Sequence, residues 1–236
     1  MCTVSFVPSH SKFIITSNRD EKLLRPSAIE PKNYLINNKN ITFPKDPKAG
    51  GTWYAITNEG TILVLLNGAQ EKHQVKLPYR RSRGLIVLDV ISSISAINEW
   101  KTIDLDNIEP FTLVLFQDLK LYQLQWNGTE KATLNLDISK NHIWSSSTLY
   151  PKEISENRAN WFHDFLDNKQ IISESELYNF HRYTENDNQE NGLIINRNNE
   201  MMTLSITQSV IEKNKIILNH YDLIANKEFT NTLLII

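Results

Sequence analysis

Cys2 is the only cysteine of the chain, and removal of Met1 would leave its thiol and its α-amino group on the same residue. That is a nucleophile and a base in one place. An α-amine titrates near ~8, so unlike a lysine it is largely able to accept a proton at neutral pH and can activate the neighbouring thiol. An acid beside the amine would orient it, and Asn18-Arg19-Asp20-Glu21 is the nearest charged cluster. An isolated Met-Cys start is more often a small buried hydrophobe opening a strand. What separates the two readings is the company Cys2 keeps.

The elements around it favour proximity. Cys2 to Val7 alternates like a half-buried strand, and Lys12 to Thr16 reads as its antiparallel partner across Pro8-Ser9-His10-Ser11. The pairing returns the Asn18 to Glu21 cluster to the side of residue 2. From Leu23 to Asp46, three prolines among many asparagines predict a long irregular excursion with at most a short strand at Tyr34-Leu35-Ile36. Such a loop is a lid or pocket wall, or a plain surface excursion. Gly50 to Thr57 opens a strand, Asn58-Glu59-Gly60 turns, and Thr61 to Asn67 returns as a fully apolar strand buried on both faces. At its end, Asn67 either donates a hydrogen bond out of the sheet edge or simply makes an Asn-Gly turn.

Arg80 to Gly84 leads into a helix expected over Leu85 to Trp100. Its arginines mark a solvated helix start or receive an anionic group. Thr112 to Phe116, Lys120 to Trp126 and Thr129 to Leu136 form a meander. A helix over Lys152 to Asn168 carries the stripe Ile154, Ala159, Trp161, Phe162, Phe165 and Leu166, which is core packing far more often than a ligand pocket. A shorter helix follows near Glu174 to His181. Met202 to Ile211 and Lys215 to Asp222 form a hairpin, and Glu228 to Ile236 adds one last strand.

Composition removes whole classes. With 236 residues and a formal charge of −2 there is no basic field for nucleic acid. A solitary cysteine forms no internal disulfide, no leader is evident, and apolar runs such as Ile62 to Leu66 are too short to cross a bilayer, so the expectation is a cytoplasmic chain without membrane insertion. Six scattered histidines offer no zinc spacing. A Gly-rich phosphate loop and a Gly-x-Ser-x-Gly elbow are both missing. No metal and no cofactor is expected, only a small-molecule ligand or substrate.

Cys2, Asn18-Arg19-Asp20-Glu21, Arg25-Pro26, Gly50-Gly51-Thr52-Trp53 and Ser82-Arg83-Gly84 together resemble the NRDE family, also called the transport and Golgi organisation protein 2 family. More distantly the chain resembles the N-terminal-nucleophile hydrolases that include penicillin V acylases and bile salt hydrolases. The resemblance implies an α+β fold, a four-layer αββα sandwich of two antiparallel sheets, in a single domain over 1–236. It implies an amidohydrolase acting on a small acylated amide. Cys2 would be nucleophile and base, Asp20 (with Glu21 as alternate) would orient the amine, Arg19 would support the acid or the pocket, and Asn67 would steady the oxyanion. Asn18, Glu21, Trp53 and Ser146 would line the substrate site. Two positions depart from the acylase pattern: Ser146 stands where those enzymes have a second asparagine, and Asn219-His220-Tyr221 where they have an arginine. Lost donors cost catalysis more than binding, so the rival reading is a non-enzymatic carrier of haem or acyl-CoA and lipid ligands, in line with the haem-trafficking links of eukaryotic relatives.

Overall fold

The structure is a computed structural model that describes residues 3–167 and 169–235. Cys2 lies outside the described residues. In chain order the elements are β1 (Thr3–Ser9), β2 (Lys12–Lys22), β3 (Ile29–Ile36), β4 (Lys39–Lys45), β5 (Tyr54–Thr57), β6 (Ile62–Asn67), α1 (Arg83–Ile91), α2 (Ala96–Thr102), β7 (Phe111–Gln117), β8 (Lys120–Trp126) and β9 (Lys131–Leu136). After these come β10 (His142–Ser145), α3 (Lys152–Leu166), α4 (Glu174–Tyr183), β11 (Asn196–Arg197), β12 (Met201–Glu212), β13 (Lys215–Asp222) and β14 (Lys227–Leu234). All strand pairs are antiparallel, which makes this the α+β protein expected.

The chain forms two compact units. The first, Met1–Arg25 with Ser139–Leu234, holds a sheet ordered β10-β1-β2-β12-β13-β14, with β11 on β12, and carries α3 and α4. Its apolar core packs Val7, Ile14 and Val210 of the sheet against Phe162, Leu177 and Phe180 of the two helices. A capping box, Ser173 with Glu176, fixes the start of α4. The second unit, built from Pro26–Ile138, is a meander β3-β4-β5-β6-β7-β8-β9 with α1 and α2. At its centre β6 runs Ile62-Leu63-Val64-Leu65-Leu66, buried throughout as its composition requires. No helix among the described residues is long and apolar enough to cross a membrane.

Three expectations are corrected. The excursion before Asp46 is a β-hairpin, β3 and β4, because Asn37 and Asn38 both take positive φ and make the two-residue turn that matches strand twist. Pro31 is accommodated where the register shifts on this edge strand. The helix expected over Leu85 to Trp100 is two helices, since the serines after Ile91 bond back to the preceding turn, Ser93 Oγ donating to the Val90 carbonyl at 2.7 Å. Finally, Ala159 is exposed, and the fully buried position on that face of α3 is Arg158.

Candidate functional site

β2 continues as strand through the whole Asn18 to Glu21 cluster, so its side chains alternate between two faces. Thr16, Asn18 and Asp20 face the helices, while Ser17 and Arg19 face the other way. Thr3 is register-paired with Asn18 on one side and with Ser145 on the other, so β1 begins beside the cluster.

Asp20 is the best-defined group of the site. It is buried, and its carboxylate is gripped by two hydroxyls: Tyr150 Oη donates to Oδ2 and Thr203 Oγ1 donates to Oδ1, each at 2.6 Å. A bulge in β12 makes both faces usable. Thr203 pairs with Asp20, the register then slips, and Ser205 rather than Leu204 pairs with Arg19. Tyr150 is set by the turn from β10, where its N–H donates to the carbonyl of Ser146 at 3.0 Å. Ser146 is buried, its hydroxyl 2.9 Å from that of Thr148. Glu21, in contrast, turns toward its strand end: it accepts from the Lys22 N–H at 2.9 Å and lies 3.6 Å from Arg25.

Asn18 is fully buried and staples β2 to α4 and to the segment that follows it. Its Nδ2 donates to the carbonyls of His181 (3.0 Å) and Leu193 (2.7 Å). With Nδ2 identified as the donor, Oδ1 must accept from His181 Nδ1, which therefore carries the proton. His181 Nε2 is then the acceptor for the Ser5 hydroxyl at 2.7 Å. Burial, with help from the charge of Arg158, pulls His181 down to about 3, so the ring is neutral and can hold this tautomer. On the opposite face His220 is also buried, 2.8 Å from the Thr207 hydroxyl, and burial lowers it to about 4 despite Asp222, with Arg19 adding to the lowering. It is a neutral ring at pH 7 rather than a cation replacing the acylase arginine.

Arg158 and Tyr150, which sequence reasoning passed over, complete the arrangement. The Arg158 guanidinium stacks 3.5 Å above the Tyr150 ring and donates from Nη1 to Thr3 Oγ1 at 2.6 Å. Thr203 was likewise missed. A usable signal existed for Arg158 alone: it lies four residues from both Ile154 and Phe162, in the middle of an apolar face.

In the second unit, Asn67 ends β6 opposite Phe111, half-buried. Trp53 is buried before β5, its carbonyl accepting from the Leu65 N–H at 2.9 Å. The motifs around Gly51 and Gly84 meet each other. The Thr52 N–H donates to the Gly84 carbonyl at 3.1 Å, and a Cβ on Gly51 would lie 2.2 Å from the Gly84 carbonyl carbon. Only glycine permits that approach, which docks the start of α1 on the strand leading into β5. Among the described residues no cluster of His, Asp and Glu could hold a metal ion.

The family model described as Transport and Golgi organisation 2 matches residues 1–223. No curated protein matches the chain. Among solved structures it is similar to conjugated bile acid hydrolase from Clostridium perfringens. A cysteine-to-alanine mutant matches at TM-score 0.61 and 10% identity, over 98% of this chain and 96% of that one. An arginine-to-leucine variant of the same enzyme matches at TM-score 0.63 and 11% identity, over 98% and 92%. The Caenorhabditis elegans ortholog of N-acylethanolamine-hydrolyzing acid amidase matches at TM-score 0.62 and 11% identity, over 88% and 92%. At such identities the likeness shows the fold, the N-terminal-nucleophile hydrolase fold that the sequence resembles.

Proposed function

This chain belongs to the Transport and Golgi organisation 2 family, and from that membership together with the buried Asp20 carboxylate we propose that it is a cysteine amidohydrolase acting on a small acylated amide. The observation that carries the reading is the register of β1 on β2. With Thr3 opposite Asn18, β1 begins beside the cluster that holds Arg19 and Asp20. In the proposed roles the thiol of a mature N-terminal Cys2 is the nucleophile, and the Asp20 carboxylate orients its amine. That is the division of labour an N-terminal nucleophile needs.

In this mechanism the Cys2 amine takes the thiol proton, and the sulfur attacks the amide carbonyl. The proton passes to the leaving amine as the C–N bond breaks and a thioester forms. Water then attacks the thioester, releasing the carboxylic acid and restoring the thiol. Asp20, held by Tyr150 and Thr203, orients the amine. Arg19 supports the pocket, and Asn67 is the proposed donor to the oxyanion, an interaction worth ~3 kcal/mol of barrier. Glu21, Trp53 and Ser146 remain the proposed substrate-side residues, whereas the three bonds made by the Asn18 amide suit it to anchoring β2. The names of the solved relatives, hydrolases of conjugated bile acid and of N-acylethanolamine, fit an acyl amide as the substrate class.

The test is a panel of N-acyl amides incubated with the purified protein and with Cys2→Ala, alongside the intact mass. Expected is amine release that vanishes in Cys2→Ala and a mass lacking Met1. Retention of Met1 with no Cys2-dependent turnover would sink the assignment and leave the carrier reading to be tried with haem and acyl-CoA titrations.

A further inference from the structure

We propose that Arg158 is a positioning residue of this site, one guanidinium that fixes both the neighbour of the nucleophile and the donor to the acid. The inference rests on the reading of Cys2 as the nucleophile.

The side chain is fully buried on α3, between Ile154 and Phe162 one turn away on either side. A leucine or methionine would fill that place without desolvating a charge, and enclosing a cation costs several kcal/mol unless its hydrogen bonds are made. All its partners are neutral. Nη1 donates to Thr3 Oγ1, Nε and Nη2 donate to the Asn191 carbonyl at 3.3 and 3.2 Å, Nη2 also donates to the Gly192 carbonyl, and the plane stacks on Tyr150. Among the described residues no carboxylate lies within ion-pair distance of it.

The loop after α4 is shaped to supply those carbonyls. Gly192 sits so tightly that a Cβ would meet the Glu185 carbonyl oxygen at 2.2 Å and that of Asn188 at 2.7 Å. The Asn191 N–H is held by Asn188 Oδ1 at 2.9 Å. Arg197 steadies the other side, bonded to the Glu190 carbonyl at 2.9 Å and 5.3 Å from the Tyr150 ring.

The two remaining contacts lead to the proposed chemistry. Thr3 is joined to Cys2 by one peptide bond. Tyr150, pinned flat by the guanidinium, has its hydroxyl on Asp20. Packing alone accounts for neither direction. The requirement is for a planar group that stacks and donates along three directions at once, which a lysine ammonium does not supply.

Because Cys2 is the sole cysteine, its alkylation by iodoacetamide as a function of pH reports on this site alone. The profile is measured on protein lacking Met1, in wild type, Arg158→Lys, Arg158→Met and Thr3→Val, with near-UV circular dichroism to establish folding. Expected is a wild-type midpoint below that of an ordinary thiol, near ~8.5. It should rise by about one pH unit in Arg158→Met. Arg158→Lys should fail to restore it, and Thr3→Val, which removes only the gripped hydroxyl, should shift it the same way by less. If Arg158→Met does not fold, Thr3→Val decides. A displaced wild-type profile that is unchanged in these variants overturns the inference and leaves the amidohydrolase reading standing. An ordinary wild-type profile overturns that reading and the inference with it.

Discussion

Two interior strands of comparable burial, β2 in the first unit and β6 in the second, are made of opposite materials. β6 buries Ile62 to Leu66, all apolar, and β2 buries Ile14 to Asp20, of which Thr16 to Asp20 are polar or charged. Each fully buried aliphatic side chain of β6 contributes about 1.5–3 kcal/mol. Each hydrogen bond made inward by β2 nets only about 1 kcal/mol once the lost water is counted, and a buried charge nets less. The second unit is therefore held by packing. The first retains groups that a stability optimum would replace, and the elements that satisfy them are those of the proposed site.

The largest expected effect is a crossed pair. Asp20→Asn keeps the shape of the side chain but turns one oxygen into a donor, so either Tyr150 or Thr203 faces an NH2 group. Turnover should fall about 10^2- to 10^4-fold, the range for a misplaced acid–base group. Leu63→Ala on β6 should cost about 2–5 kcal/mol of stability and leave turnover per folded molecule within about twofold of wild type. Steady-state kinetics and urea melts on both proteins check the pattern. A stability loss in Asp20→Asn as large as that of Leu63→Ala, with turnover intact, would break the comparison.

Acid should find the first unit before the second. His181 and His220 both belong to it, with folded values of about 3 and about 4 against an ordinary 6.5. Below pH ~6.5 the unfolded chain binds protons that the folded chain refuses. Their contribution is thus complete above that pH and is lost as the pH falls toward 4. At about 1.4 kcal/mol per pH unit and histidine, lowering the pH from 7 to 5 should remove about 2–4 kcal/mol. His181→Gln should cut that loss by roughly half. Hydrogen exchange followed by mass spectrometry sharpens the comparison, since protection should fade earlier in Ser139–Leu234 than in β5 to β8.

How legible these strands were follows from the same contrast. β6 announced itself, because an unbroken apolar run bounded by Gly60 and Gly68 has few other places to go. The two-strand start was legible too, but the polar half of β2 read as a cluster after a strand rather than as strand. What pairs with it comes from far along the chain, Tyr150 and Thr203 lying 130 and 183 residues beyond Asp20. No local period encodes such partners. The β3–β4 hairpin was hidden for another reason: three prolines among many asparagines suggest an irregular excursion, whereas the tolerance of positive φ by Asn37 and Asn38 makes them the turn. Arg158 was legible as an arginine on an apolar face, and the placement of Ala159 in the stripe concealed it.

The smallest effect bears most directly on why β2 is polar. Ser17 Oγ and Ser205 Oγ are buried without a hydrogen-bond partner among the described residues, on the face that Arg19 shares. Ser17→Ala removes no hydrogen bond made to a described residue, so it should leave the urea midpoint unchanged or add up to about 1 kcal/mol. Thr16→Val, one residue away but facing α4, removes the acceptor of the Gln208 Nε2 bond at 3.0 Å and should cost about 1–2 kcal/mol. If Ser17→Ala is neutral for stability yet lowers turnover of an acyl amide, the hydroxyl serves the Arg19 face rather than the fold. If it destabilises as much as Thr16→Val, both faces of β2 are held by the same kind of bond, and the division drawn between its two sides is lost.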